Sequence, residues 1–224
     1  MPAGLYPIFL DLDGKPCLVV GGGEVATVKV QGLLLSGAHV VVVSPTLTET
    51  LGRLAKQGPV VHRAREFRDD DVIGCALVIA ATDRPEVNSA IFRLARRHRI
   101  LVNVVDTPAE CDFYTPAVVQ RGALQIAIST NGKIPGLARR IREELETRFG
   151  PEYARYVEVL GEFRQGLRHR GDSFERRRSL CSRALDSDLL EAVRTGNEAR
   201  IEALFASSSG TATSAIAPDT AGTV

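Results

Sequence analysis

Cys17-Leu-Val-Val-Gly-Gly-Gly-Glu-Val-Ala26 is an apolar run that stops on three glycines and restarts on residues that suit a helix. By period it reads as a buried strand breaking into a tight turn that opens a helix. Gly21, Gly23 and Ala26 fit the spacing GxGxxA. In that spacing the first small residue makes the turn, the second lets the backbone approach a pyrophosphate, and the third lets helix pack closely on strand. Glycines between a strand and a helix also serve as a plain turn, so the flanking pattern has to decide. Val25, Val28, Leu33 and Leu35 predict the apolar positions of a helix that Gly37 ends, and Ala38 to Val43 is a short β-branched run that reads as a second strand. A βαβ unit therefore closes within about thirty residues of the turn. Gly21, Gly22 and Gly23 become candidate dinucleotide-binding residues, with the anion resting on the helix N-terminus, where unpaired N–H groups and the dipole favour negative charge.

The end of the second strand carries no carboxylate, since the chain reads Val42-Val43-Ser44-Pro45-Thr46. Ser44 or Thr46 can hydrogen-bond a ribose hydroxyl, and neither repels a 2′-phosphate. The local chemistry leaves NAD and NADP both open.

The 224 residues, 44% hydrophobic and 25% charged, suffice for one good core and a smaller second one. A net charge of +1 argues against a general nucleic-acid binder, and no apolar run approaches the length of a membrane span. Met1 to Phe9 lacks a basic segment followed by a long apolar stretch, so no signal peptide is evident. Cys17, Cys75, Cys111 and Cys181 form no CxxC pair, which fits neither a zinc ribbon nor a disulfide framework and points to a reducing, cytoplasmic setting.

Further apolar strands are expected at Val60 to His62, Leu77 to Ala81 and Leu101 to Val105. With the helix marked by Val87, Ile91, Leu94 and Ala95, they predict an α/β domain with a Rossmann-like parallel sheet over residues 1–112. Arg93, Arg96, Arg97 and Arg99 read as its solvated face. From Phe113 the pattern changes. Phe113 to Gln120 and Ala123 to Ser129 predict a hairpin around Arg121-Gly122, and Leu137, Ile141 and Leu145 predict a helix from Pro135 to about Phe149. Residues 113–149 are therefore expected to form a dimerisation region, because a lone hairpin exposes edges that a partner copy would cover. Residues 150–206 read as a small helical domain, with short helices around Phe174 to Leu185, Asp188 to Arg194 and Glu198 to Phe205, and 207–224 as a disordered tail.

Asn103-Val-Val-Asp106 ends the fifth strand on the carboxyl edge, where open α/β sheets bind ligands. Asp106 starts a turn on the plain reading. On the functional one it is a general base beside the nicotinamide, with Asn103 orienting ligand groups. Thr82-Asp83 reaches the same edge and can line the cofactor site or cap the helix near Pro85. Ser129-Thr130-Asn131-Gly132-Lys133 is a polar loop before a helix N-terminus, suited to a substrate carboxylate. Lys133 to Arg183 holds thirteen Lys or Arg against eight Asp or Glu, an excess suited to a polycarboxylate ligand. Asp69-Asp70-Asp71 is expected to be a helix start with exposed acids, and the four histidines show no metal-ligand spacing. No Tyr is followed four positions later by Lys, so the Tyr/Lys relay of short-chain dehydrogenases is missing. An NAD-sensing module without catalysis would explain the glycine turn and leave Asp106 and the basic half without a use.

Taken in order, Gly21 to Ala26 with Lys29, Ala80-Ala-Thr-Asp83 with Asn88, Asn103 to Asp106, Phe113 with Pro116, and Ala127-Ile-Ser-Thr-Asn-Gly132 followed by Pro135 and Leu137-Ala-Arg139 closely resemble the precorrin-2 dehydrogenase and sirohydrochlorin ferrochelatase family. That family includes the N-terminal module of siroheme synthase. The resemblance implies NAD-dependent conversion of precorrin-2 to sirohydrochlorin on the route to sirohaem, and in some members insertion of ferrous iron into the product. It implies contacts to NAD from Glu24, Val25, Pro45 and Thr46, a catalytic carboxylate at Asp106, and a separate methyltransferase acting in the pathway. Whether this chain also chelates iron is open at this point.

Overall fold

The computed structural model describes residues 4–208. Its strands and helices run β1 (Pro16–Val20), α1 (Glu24–Leu35), β2 (His39–Val43), α2 (Glu49–Gln57), β3 (Val60–Arg63), β4 (Leu77–Ala80), α3 (Pro85–Arg97), β5 (Leu101–Val104), β6 (Ala117–Arg121), β7 (Leu124–Ile128), α4 (Pro135–Arg148), α5 (Glu152–His169), α6 (Phe174–Leu185), α7 (Leu189–Arg194) and α8 (Glu198–Ser208). The expected tail from Ser207 begins with the last two residues of α8, and 209–224 lie outside the described residues.

By contacts the chain divides into two units. The first holds Met1–Thr115 together with Asn131–Lys133, and the second holds Pro116–Thr130 and Ile134–Val224. Residues 113–149 and 150–206, expected as separate segments, share the second unit apart from these boundary residues.

In the first unit β1 to β5 form a parallel sheet in the order β3-β2-β1-β4-β5. The strand order reverses between β1 and β4, which creates a crevice at the carboxyl ends of those two strands. Both faces of the sheet are covered, which is why its central strands are continuous apolar runs. Ala26, Val30, Leu33 and Leu51 from α1 and α2 cover one face, and Ile91 and Ala95 of α3 with Val72 cover the other. The expected α/β Rossmann-like fold is the observed one.

Two details differ from the expectation. Of the apolar positions predicted on α1 only Leu33 is buried, whereas Val25, Val28 and Leu35 are exposed. The helix meets the sheet instead through Ala26, Thr27, Val30 and Leu33, with the small Ala26 at the first turn, where a helix starting on a glycine turn packs closely on the strand. Apolar residues are spread around this helix, so its buried face cannot be read from period alone.

The acidic run is the second difference. Residues Asp69–Val72 form a 3-10 turn, and Asp71 is buried in it. Arg65 grips its carboxylate with both guanidinium nitrogens at 2.6 and 2.7 Å, Arg63 adds a bond at 2.6 Å and the Arg68 N–H donates at 2.9 Å. The Arg65 bonds hold the Asp71 carboxyl at about 2 against the opposing pull of burial, with Arg68 N–H and Arg63 assisting. A carboxyl held below its unfolded value stabilises the fold above pH ~4, and that contribution fades as pH falls towards 2. With the Asp71 side chain 2% exposed, the linkage is on the order of 2 kcal/mol. Asp71→Asn is therefore expected to lower unfolding stability at pH 7 by about 2–4 kcal/mol. In urea titrations the gap from wild type closes between pH 4 and pH 2, and a gap independent of pH would contradict the assignment.

In the second unit β6 and β7 pair antiparallel across the two-residue loop Gly122–Ala123, with Gly122 in the left-handed region. The first hairpin strand begins at Ala117 rather than Phe113. Residues before it are held back against β5: Asp112 N–H bonds the Val102 carbonyl at 2.8 Å, and Asn103 Nδ2 donates to the Phe113 carbonyl at 2.9 Å. Pro116 has no N–H to offer a ladder. Arg121 Nε caps the C-terminal end of α4 through the Phe149 carbonyl at 2.9 Å. Helices α5 to α8 pack around Val159, Leu189, Ala192 and Ile201, and around Phe163, Leu167, Leu180 and Ala184.

Candidate functional site

The glycine turn is wedged between two strand ends. A Cβ on Gly21, whose φ is 121°, would lie 2.2 Å from the Ala81 carbonyl oxygen, and one on Gly22 would lie 1.9 Å from the Thr46 carbonyl oxygen and 2.8 Å from Ser44 Oγ. At Gly23 nothing lies within 4 Å of that position. Gly21 and Gly22 are thus demanded by the protein's own packing, and Gly23 leaves room outside it. Gly23 is also the N-cap of α1, with no side chain capping that end. Glu24 and Val25 open the helix and are exposed. An open approach to an uncapped helix N-terminus suits a pyrophosphate, so the residues present fit a dinucleotide.

The turn brings the candidates at the end of β2 alongside. Ser44 is buried, and Pro45 and Thr46 are exposed beside Gly22. Two threonines outside the predicted set hold this junction. Thr48 N–H donates to the Gly22 carbonyl at 2.8 Å, its hydroxyl lies 2.8 Å from the Thr27 hydroxyl, and Thr27 Oγ1 donates to the Gly23 carbonyl at 2.9 Å. Thr48 also caps α2 through the Leu51 N–H, and a threonine ahead of a helical segment is a signal visible in sequence.

At the end of β4, Thr82 and Asn88 clasp each other. Thr82 Oγ1 donates to Asn88 Oδ1 at 2.7 Å, and Asn88 Nδ2 returns a bond to the Thr82 carbonyl at 3.0 Å. Thr82 also accepts from the Arg84 N–H at the start of α3, and Asp83 is exposed. At the end of β5, Asn103 is buried and its Nδ2 is committed to the Phe113 carbonyl and to Cys111 Sγ. Cys111 in turn donates to the Val104 carbonyl at 3.2 Å, and burial raises its thiol above the usual range. These bonds brace the turn that carries Asp106. That residue is exposed, with φ 60°, and among the described residues no side chain hydrogen-bonds its carboxylate.

Lys29 is a further residue of this region, outside the predicted set. It is half-buried on α1, donates from Nζ to Thr115 Oγ1, and has its pKa lowered by burial, with Cys111 and Asp106 acting against that shift. Its partner lies 86 positions along the chain.

The polar loop before α4 is divided between the units. Asn131 and Lys133 group with the first, Ser129 and Thr130 with the second, where Thr130 Oγ1 accepts from the Ile134 N–H at 3.2 Å. Asn131 and Gly132 both adopt left-handed backbone. Within the second unit the basic excess gathers partly in a cleft of about 420 Å³ between α5 and α6, where Arg164, Arg168, Arg177 and Arg178 surround the exposed Phe174 and Leu185. Among the described residues no group of three or more His, Cys, Asp or Glu could hold a metal ion, and no helix is long and apolar enough to cross a membrane.

Comparison with known proteins agrees with this geometry. Residues 8–117 match the family described as putative NAD(P)-binding, 121–148 the sirohaem biosynthesis protein central region, and 152–208 the sirohaem synthase dimerisation region. The chain is 42% identical over 196 residues to siroheme synthase of Nitrosospira multiformis and 40% identical over 192 residues to that of Photobacterium profundum. Each match takes in 86% of this chain and 42% and 41% of the relative, so the chain spans about two fifths of their length. The solved structure of SirC, precorrin-2 dehydrogenase, superposes with a TM-score of 0.72 at 28% identity, over 89% of this chain and 100% of that one. The chain belongs to the family that joins the precorrin-2 dehydrogenases with the N-terminal part of siroheme synthase.

Proposed function

We propose that this protein catalyses the NAD-dependent dehydrogenation of precorrin-2 to sirohydrochlorin in sirohaem biosynthesis. The observation that carries the reading is the placement, at one carboxyl edge of the sheet, of the open Gly23 turn and of Asp106, an exposed carboxylate to which no side chain among the described residues hydrogen-bonds. The substrate is taken from the relatives. A bound nicotinamide dinucleotide supplies a hydride acceptor. Gly21, Gly22 and Gly23 with Glu24 and Val25 hold its phosphates and adjoining groups, Ser44, Pro45 and Thr46 its ribose, and Thr82, Asp83 and Asn103 the far wall. Asp106 takes the proton that leaves the substrate as its hydride is lost, so that two hydrogens depart as hydride and proton. Ser129, Thr130, Asn131 and Lys133 hold substrate carboxylates. A regulatory NAD-sensing module would have no use for an unengaged carboxylate at that edge.

The test is to mix purified protein, precorrin-2 and NAD and follow the sirohydrochlorin absorbance, with NADP in a parallel arm. No spectral change in either arm would overturn the assignment. Ferrous iron enters only as a substrate, and adding it to preformed sirohydrochlorin without NAD reports chelation separately.

The functional form is a homodimer in the cytoplasm. Among the described residues the two-stranded hairpin has no further strand at either edge, and Val118, Ile134 and Leu137 are exposed around it, a surface that pairing would cover. Four free cysteines accord with a reducing compartment. Light scattering at micromolar concentration is expected to give about twice the 24.2 kDa chain mass. The mass of a single chain would refute the dimer.

A further inference from the structure

Lys29 stands out as an ammonium taken partly out of water with no carboxylate among the described residues at bonding distance. Burial disfavours its charge, and among the described residues its hydrogen-bond partner is Thr115 Oγ1. The acids of the facing loop explain what balances it. Glu110 accepts from the Ser89 hydroxyl, and Asp112 accepts from Arg96 and from the Val102 N–H. Cys111 donates its thiol proton to backbone carbonyls. Asp106 is the remaining carboxylate of that loop, and it acts on the charge of Lys29.

We propose that Lys29 is a positioning residue for Asp106: tethered to Thr115, its ammonium fastens the loop from Val105 to Thr115 onto α1 and sets a positive charge opposite the Asp106 carboxylate. This rests on the dehydrogenase reading, in which Asp106 is the base. Lys29 itself touches neither substrate nor cofactor in this account. Its tether limits the motion of a turn that starts in left-handed backbone at Asp106.

The titratable groups that act on the charge of Lys29 are Cys111 and Asp106, and Asp112 and Glu110 act in turn on Cys111. Since burial lowers the pKa of Lys29, its charge is lost at a lower pH than that of a free lysine. Dehydrogenation then declines on the alkaline side as Lys29 deprotonates. A guanidinium does not titrate in that range, so Lys29→Arg extends activity to higher pH.

The experiment measures steady-state dehydrogenation from pH 6 to 10 for wild type, Lys29→Met, Lys29→Arg and Thr115→Val, with NAD affinity by calorimetry. Lys29→Met is expected to lower kcat by about tenfold or more while the Kd for NAD stays within about twofold. Lys29→Arg is expected to recover most of that loss with the alkaline decline displaced upward. Thr115→Val, which removes only the tether, is expected to lower kcat by about threefold. A kcat for Lys29→Met within twofold of wild type, or a Lys29→Arg as impaired as Lys29→Met with an unmoved alkaline limb, would overturn the proposal. A second readout needs no turnover. Amide hydrogen exchange over 105–115 in the full chain without ligands is expected to quicken by about tenfold in Lys29→Met. Unchanged exchange removes the tether even if the dehydrogenase reading stands. Quickened exchange in a protein that never oxidises precorrin-2 keeps the tether and discards the reading on which its purpose rests.

Discussion

Asp106→Asn is expected to lower dehydrogenation of precorrin-2 by about a hundredfold or more, the range attached to a general base. The substitution is unusually clean at this position. Asp106 sits in the left-handed region at φ 60°, which Asn enters as readily as Asp. The turn itself is held by backbone and by Cys111, through Thr107 N–H to the Val104 carbonyl and the Cys111 thiol to the same carbonyl, and none of these bonds uses the Asp106 side chain. The variant therefore keeps its fold, with a melting temperature within about 2 °C of wild type, and binds NAD as before. Asp106→Ala would mix the loss of the base with backbone strain and is the weaker choice. Full activity in Asp106→Asn would remove the base from the mechanism while leaving the substrate assignment standing.

The second large effect separates neighbouring glycines. Gly22→Ala drives a methyl to within 1.9 Å of the Thr46 carbonyl oxygen, so either the turn or the β2 exit has to move. A loss of about 3 kcal/mol or more of unfolding stability is expected, at the upper end for overpacked sites. Gly23→Ala meets no atom within 4 Å and lies at ordinary φ, −84°. At an N-cap, exchange of Gly for Ala costs on the order of 0.5–1 kcal/mol, so the folded protein survives. The methyl does stand where a pyrophosphate must approach, and the Kd for NAD is expected to rise by about tenfold or more. Urea titration and calorimetry on the two variants give opposite patterns. Wild-type NAD affinity in Gly23→Ala would mean that this turn is packing and not a cradle.

The parts of this protein that could be read from sequence are those written locally. The strand at Cys17, the glycine turn and the helix from Phe174 to Leu185 follow from period and punctuation, and the structure has them where they are expected. Asp106 was legible as a strand-end residue because the sheet's carboxyl edge is a rule of topology. The engaged state of Asn103 was not, because its partners at Cys111 and Phe113 depend on how the chain folds back along β5. Asp71 looks like Asp69 and Asp70 until Arg63 and Arg65 arrive from β3 and its exit. The buried side of α1 was hidden for another reason: valines and leucines are spread around that helix, so their spacing does not single out the face with Ala26, Val30 and Leu33. Lys29 was visible only as part of the family resemblance and without a role, since the hydroxyl it binds is 86 positions away.

The chain enters its second unit after Thr115, returns to the first for three residues, Asn131–Lys133, and leaves again. No single cut can therefore release either unit whole. A fragment ending at Thr115 lacks a piece of the unit it was meant to preserve, and one starting at Pro116 carries that piece as a stray. For anyone grafting this fold onto another protein, the smallest transferable cassette is the uninterrupted stretch that spans both units.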